Sequence, residues 1–205
     1  MNRAVAGGLA WASIAQFFVV EELTRRGSTL PYGRTTHYIS DLGAVTCGTY
    51  EGREICSPDH VWINGSFVLV GAAIAAGAVL VRAAAPDGVT PAVLASYAAA
   101  GAGSVLTGLF PLDTAYAPHV LGAGLFFVGA SLGHVLLGLR LRRRGLRSYG
   151  GGLALVGALG LIGTGLVVAG VDLGLGIGFV ERVVVYGADL GFIATGLLLI
   201  KGLSD

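Results

Sequence analysis

Residues 119–147 read HVLGAGLFFVGASLGHVLLGLRLRRRGLR, and the fold turns on this stretch. Its first part, 119–139, carries no Asp, Glu, Lys or Arg. As a helix it is long enough to cross a bilayer's hydrocarbon core, which takes roughly 20 apolar residues. Its second part holds Arg140, Arg142, Arg143, Arg144 and Arg147. An apolar run closed by a dense basic cluster reads as a membrane span and its cytoplasmic flank. Outward from it, the stretches 4–20, 61–81, 91–110, 150–171 and 179–200 also qualify as spans. All are expected to be helices, because an isolated strand leaves its backbone unsatisfied in lipid.

Composition agrees. Of 205 residues, 54% are hydrophobic and 12% charged, about half the charged share usual for a soluble domain. That excludes an ordinary soluble globule, a disordered chain and a basic nucleic-acid binder. The 35 glycines follow no Gly-X-Y period, so collagen is excluded as well. Alternating strands of the outer-membrane barrel type are absent. The expected architecture is all-α, one six-helix membrane domain over 1–205 in the cell (cytoplasmic) membrane. With the arginine cluster inside, Arg3, Arg82 and Lys201 fall on the same side and both termini are cytoplasmic. The first span is expected to be retained, since no small-residue cleavage site precedes Glu21 and Glu22.

The long first loop, 21–60, then lies outside the cell. Its Arg25, Arg26, Arg34 and Arg53 offend the charge rule modestly and are accompanied by Glu21, Glu22, Asp41, Glu51, Glu54 and Asp59. Cys47 and Cys56 are the chain's two cysteines, and both are in this loop. An oxidising exterior and short spacing favour a disulfide over a metal or redox pair, and C-x-x-C is absent. A loop this long is more than a connector. Residues 36–45 are expected to pack on the helix ends as a short interfacial helix.

In lipid, helices associate through small residues. Gly129 and Gly133, Gly187 and Gly191, and Gly157, Gly160, Gly163 and Gly165 are expected at close helix contacts. None follows a strand, so phosphate-loop and dinucleotide readings fail. No repeat of fixed period suggests an inverted-repeat transporter.

Ionisable groups at membrane depth are candidates for function. Arg182, Tyr186 and Asp189 stand at i, i+4 and i+7 on one face of the sixth span. Gln16, Asn64, Ser104, Thr107 and His119 are in the outer halves of other spans, and Asp113, Asp172 and Glu181 stand at the outer boundary. Two readings fit: a polar cavity opening outward and narrowing toward Asp189, or buried hydrogen bonds that fix helix register. Arg182 is expected to pair with Asp113 or Asp172, with His119 and Asn64 lining the same cavity. His134, deeper, reads as a satisfied interior histidine.

Three further chemistries are disfavoured. His37, His60 and His119 would have to assemble a zinc site without any helical His spacing. His37, Ser40 and Asp41 are close in sequence, but nothing marks Ser40 as activated. The histidines within spans, His119 and His134, share one helix and so cannot clamp a haem.

His37-Tyr-Ile-Ser-Asp-Leu-Gly43, Asn64-Gly-Ser-Phe67, Gly108-Leu-Phe-Pro-Leu-Asp113, His119 and Glu181-Arg182, in that order and spacing, resemble the membrane family called domain of unknown function 998. The resemblance covers nearly the whole chain. More distantly, that family is similar in architecture to the Frag1, DRAM and Sfk1 membrane proteins. It implies six spans and a membrane location, and no reaction or cofactor. Its motif positions fall on Ser40, Asp41, Asn64, Pro111, Asp113, His119, Glu181 and Arg182; the paired cysteines are outside the pattern.

Three functions compete. The first is a binder of a lipid head group or small polar ligand, with Arg182 pairing the ligand's anion. There His119, Asn64 and Asp113 orient it, and Ser40, Asp41, Tyr186 and Asp189 complete the site. The second is an enzyme acting on a lipid or isoprenoid, with His119 as general base beside Asp113 or Glu181. The third is a proton-coupled transporter using Asp189. A blind pocket marks the binder, a histidine–carboxylate contact or metal the enzyme, and a path past Asp189 the transporter. The expected partner is membrane lipid, with no nucleic acid.

Overall fold

The computed structural model describes residues 2–85 and 88–202. Six helices long and apolar enough to cross a membrane run through it. They are α1 (Arg3–Gly27), α2 (His60–Ala84), α3 (Pro91–Leu109), α4 (Tyr116–Arg143), α5 (Arg147–Val168) and α6 (Ile177–Lys201). The chain is therefore an all-helical, multi-pass membrane protein. Each helix packs on its sequence neighbours, and α6 closes the ring against α1. The start of α1 and the end of α6 lie at one end, the terminal side, and residues 28–59 at the other, the loop side.

Local chemistry explains the helix ends. The Asn2 side chain caps α1 by accepting from Ala4 N. Thr90 caps α3 ahead of Pro91, whose missing N–H costs nothing at a first helical position. Within α1, residues Ser13–Ala15 tighten into a 3-10 turn, where Ser13 Oγ bonds back to Ala10 O.

Two spans differ most from expectation. The first span does not stop at Val20 but runs one and a half to two turns further, to Gly27, so Glu21 and Glu22 are helical. The reason is periodicity: Phe17, Glu21 and Thr24 are buried at i, i+4 and i+7, so the interior face simply continues. The second is α4, which extends past 119–139 at both ends, its arginines continuing the helix into the polar region.

Four crossings bring backbones into close contact. A Cβ on Gly71 would come within 2.4 Å of Gly101 O, and one on Gly101 within 2.8 Å of Gly71 O. Gly103 with Gly122, Gly138 with Gly150, and Gly8 with Gly196 repeat this reciprocal pattern. These crossings tie α2 to α3, α3 to α4, α4 to α5 and α6 to α1 without side chains between them. Gly129, Gly133, Gly157, Gly160, Gly163 and Gly191 also leave no free room for a Cβ. Gly165 is different, with nothing within 4 Å.

In the loop, Cys47 and Cys56 are bonded at the base of a hairpin. Its strands are β1 (Gly48–Tyr50) and β2 (Arg53–Ile55), paired antiparallel. The turn residues Glu51 and Gly52 both have positive φ, 48° and 79°, the twist a two-residue hairpin requires. The interfacial segment expected over 36–45 is a 3-10 turn, Ile39–Gly43, buried on the helix ends.

Candidate functional site

The opening of α6 holds the loop. The first N–H groups of a helix lack partners inside it, and Thr35 O accepts from Gly178 N at 2.8 Å and Phe179 N at 3.3 Å. A side chain at Gly178 would collide with His37 O at 2.2 Å, so the close approach requires glycine. Arg182 Nη1 donates to the carbonyls of Arg34 (2.6 Å), His37 (2.9 Å) and Gly178 (3.0 Å). Glu181 Oε2 accepts from Ile39 N at 2.6 Å. Adjacent residues of opposite character thus grip the loop's carbonyls and an amide.

Arg182 pairs with neither Asp113 nor Asp172. Its Nη2 and Nε meet Glu21 Oε1 at 2.9 and 3.2 Å, and Nη2 also reaches Tyr32 OH. Tyr186 OH donates to Glu21 Oε2 at 2.7 Å. The guanidinium is 5% exposed and Glu21 1%, so this is a buried pair. All five guanidinium donors are engaged, and Arg182 lines neither of the two cavities described below. Burial also pushes the Tyr32 phenol well above its ordinary value. Asp172 accepts from Gly174 N in its own turn.

Other motif residues anchor the same loop. Asn64 Nδ2 donates to Gly43 O at 2.9 Å. Asp41 accepts from Tyr38 N and forks with Arg53, through Nε at 2.8 Å and Nη2 at 3.1 Å. The Arg53 guanidinium also lies over the Tyr38 ring. Asp113 accepts from Val45 N at 3.1 Å, Thr46 N at 2.8 Å and Thr46 Oγ1 at 2.8 Å. Partial burial pushes the Asp113 carboxyl up, but those three hydrogen bonds outweigh it and hold it below the usual carboxylate range. With the folded value lowered, this anchor contributes fully above the ordinary aspartate value of about 3.9 and is lost as pH falls through the folded one. Hydrogen exchange at Val45 and Thr46 should therefore be faster in Asp113→Ala than in wild type at neutral pH. In acid the difference should close; an equal difference at both would contradict the anchor.

Two neighbouring cavities that share part of their walls lie beneath the loop. The outer, about 440 Å³, sits between α4 and α5, with Tyr116, Val120 and Gly124 on one wall and Thr164, Val167 and Val168 on the other. These helices touch from Gly138–Gly150 to Ser131–Gly157 and part above. The inner, about 40 Å³, runs in among Phe17, Phe67, Ser104, Thr107, Phe126 and Asp189. Ser40, His119, Ala123, Phe127 and Glu181 wall both. Asp189 is 1% exposed, and neither carboxyl oxygen has a hydrogen-bond partner among the described residues. His119 Nδ1 bonds the Phe110 carbonyl at 2.8 Å, so that nitrogen carries the hydrogen.

On the terminal side of Asp189, rings of Trp11, Tyr97, His134 and Phe192 close the interior, with neighbouring centroids 4.6–5.7 Å apart. His134 is the satisfied interior histidine expected. Its Nε2 donates to Ala188 O at 2.9 Å, so its Nδ1 accepts from Tyr97 OH at 2.9 Å.

Of the residues singled out from sequence, Ser40, His119, Glu181 and Asp189 thus meet around one space. Asn64, Asp41, Asp113 and Arg182 hold the loop over it, and Tyr186 bonds Glu21 beside it. His37, His60 and His119 stay apart: His37 bonds Thr36 and Gly33, His60 bonds Ser57 O. Among the described residues, no group of three or more His, Cys, Asp or Glu could hold a metal ion. Nor do His37, Ser40 and Asp41 form a triad, since Asp41 is engaged by Arg53. Glu21 was missed because its charge was read as the end of a span. The Phe17–Glu21–Thr24 spacing was the signal for it.

No curated protein and no solved structure matches the chain significantly. The sequence profile of the proteins of unknown function called DUF998 matches residues 4–198, nearly its whole length, and the chain belongs to that family.

Proposed function

We propose that the chain binds an amphipathic ligand, a lipid or a small molecule with a polar end, in the two neighbouring cavities under the loop. The observation that carries this reading is their shared wall: an outer chamber of about 440 Å³ shares Ser40, His119, Ala123, Phe127 and Glu181 with an inner slot lined by the buried Asp189 carboxyl, which has no hydrogen-bond partner among the described residues. The chamber is within the usual size range of ligand sites, about 300–1,000 Å³. Its rim carries Val168 at 82% exposure and Tyr116 at 57%, apolar surface that a lipid tail would cover. Buried Asp189 has no hydrogen-bond partner among the described residues, and a ligand donor would meet it.

The other readings draw less support. Transport asks for a path past Asp189, and four packed rings occupy that route. Catalysis asks for a histidine–carboxylate contact, and the His119 bond goes to a backbone carbonyl. Arg182, fully engaged, is reassigned from ligand to loop.

Gly124 offers a clean test, because a Cβ there meets nothing within 4 Å while the residue faces the chamber. Gly124→Phe should fill the chamber and reduce lipid retained through purification, read by native mass spectrometry, at least tenfold. Stability should move by only about 0.5 kcal/mol. Unchanged retention would refute the site.

The membrane is the cytoplasmic one in this proposal, with both termini inside and the loop outside. Arg144→Cys should then react with an impermeant thiol reagent only in opened cells, and Thr114→Cys in intact ones. The reverse pattern would move the site to the cytoplasmic side.

A further inference from the structure

We propose that the inner slot receives a primary ammonium group; this rests on reading the two cavities as a ligand site. Ser104 Oγ donates to Phe67 O at 2.7 Å, and Thr107 Oγ1 donates to Gly103 O at 3.0 Å. In the chamber, Thr164 Oγ1 donates to Gly160 O at 2.8 Å. Each hydroxyl has one hydrogen, so what these three can still offer a ligand is lone pairs. The His119 hydrogen on Nδ1 is likewise taken by Phe110 O. Glu181 and Asp189 are carboxyl groups, and both Asp189 oxygens are unpartnered and buried.

The walls therefore offer mostly acceptors, the exceptions being the hydroxyl of Ser40 and, in the chamber, the phenols of Tyr38 and Tyr116, and no Lys or Arg is among their described residues. The two nearby guanidinium groups are engaged elsewhere, Arg182 by Glu21 and Arg53 by Asp41. An anion or a carbonyl would meet mostly like partners. An ammonium fits, because it carries three donors, no acceptor and one positive charge. Size agrees: a water needs about 10–15 Å³ on this measure, so a slot of about 40 Å³ holds an ammonium and the carbon that bears it. The rest of the ligand would lie in the chamber. Two sources carry this chemistry, an aminoethyl lipid head group and a free small amine.

The test uses the full chain purified in detergent. It is exposed to vesicles of equal parts phosphatidylethanolamine and phosphatidylglycerol with matched acyl chains, then read by native mass spectrometry. Retained phosphatidylethanolamine should exceed phosphatidylglycerol at least tenfold. Asp189→Asn and Glu181→Gln should each bring that ratio toward one, and Asp172→Asn should leave it alone. Should Asp189→Asn fail to fold, Glu181→Gln decides. If ethanolamine hydrochloride displaces the lipid and stabilises wild type but not the variants, the source is a free amine. Equal retention of both lipids, or a preference that neither variant alters, overturns the ammonium and leaves the lipid site standing. Retention of neither lipid, with no response to ethanolamine, overturns both. Stabilisation by sodium chloride and not by ethanolamine would assign the slot to a metal cation and overturn the ammonium as well.

Discussion

Glu21→Ala is expected to lower the unfolding free energy by about 3–5 kcal/mol, the usual cost of removing one partner from a buried ion pair. The loss comes less from the pair's own attraction than from what is left behind. Arg182 cannot shed its charge, is 5% exposed, and would face the bundle interior without its carboxylate. Tyr186 would lose its acceptor in the same step. For a chain of this size each kcal/mol shifts the melting temperature by about 2–4 °C, so the drop is on the order of 10 °C. Glu22→Ala is the comparison, because Glu22 binds Arg25, Arg26 and Arg34 at the surface. Such exposed pairs are each worth about 0–1 kcal/mol. Replacing both partners, Glu21→Met with Arg182→Met, should recover stability relative to Glu21→Ala. It should still leave residues 28–59 open to protease, since the Arg34 and His37 carbonyls lose their donor. Equal melting temperatures for Glu21→Ala and Glu22→Ala would show that the pair does not hold the bundle.

Gly103→Leu should be comparably damaging for a different reason. A Cβ at Gly103 would meet Gly122 O at 2.4 Å and Phe126 N at 2.5 Å, both backbone atoms that cannot rotate away. α3 and α4 would have to separate. Overpacking typically costs about 1–3 kcal/mol, and a backbone collision belongs at or above the top of that range. The separation would also shift Ser104, Thr107 and Phe126, so ligand retention should fall with stability. Gly165→Ala is the contrast. Nothing lies within 4 Å of its Cβ position, and alanine favours a helix by up to about 1 kcal/mol over glycine. Thermal unfolding of the two variants in one detergent checks both, and a neutral Gly103→Leu would contradict the crossing.

The spans were legible because a bilayer judges each segment separately. Length and apolarity of 119–139 decide its insertion whatever the other helices do. The helical face shared by Arg182 and Tyr186 was legible for a similar reason, since it needs only the residue period of one helix. His134 was read correctly as a satisfied interior residue, although its partners Tyr97 and Ala188 were not foreseen. The end of α1 was misjudged because Glu21 carries a charge, and charge usually marks the edge of a span. Here the charge is neutralised from another helix.

Sequence by itself thus determined six helices, the bonded cysteines, some of the glycines at helix contacts and most of the polar residues at the loop side, while the four reciprocal glycine crossings fell at positions it had not singled out and Gly165 made no contact. Tertiary structure alone decided what those residues do. Arg182 meets Glu21 across 161 positions because α6 closes the ring on α1, and no local pattern encodes that closure. Asn64, Asp113 and Glu181 bind backbone groups of residues 39–46, and backbone partners leave no trace in side-chain identity. The cavities depend on α4 and α5 parting above Ser131 and Gly157, a matter of crossing geometry. That Ser104, Thr107 and Thr164 offer only lone pairs there follows from where each sends its one hydrogen, which only the folded arrangement settles.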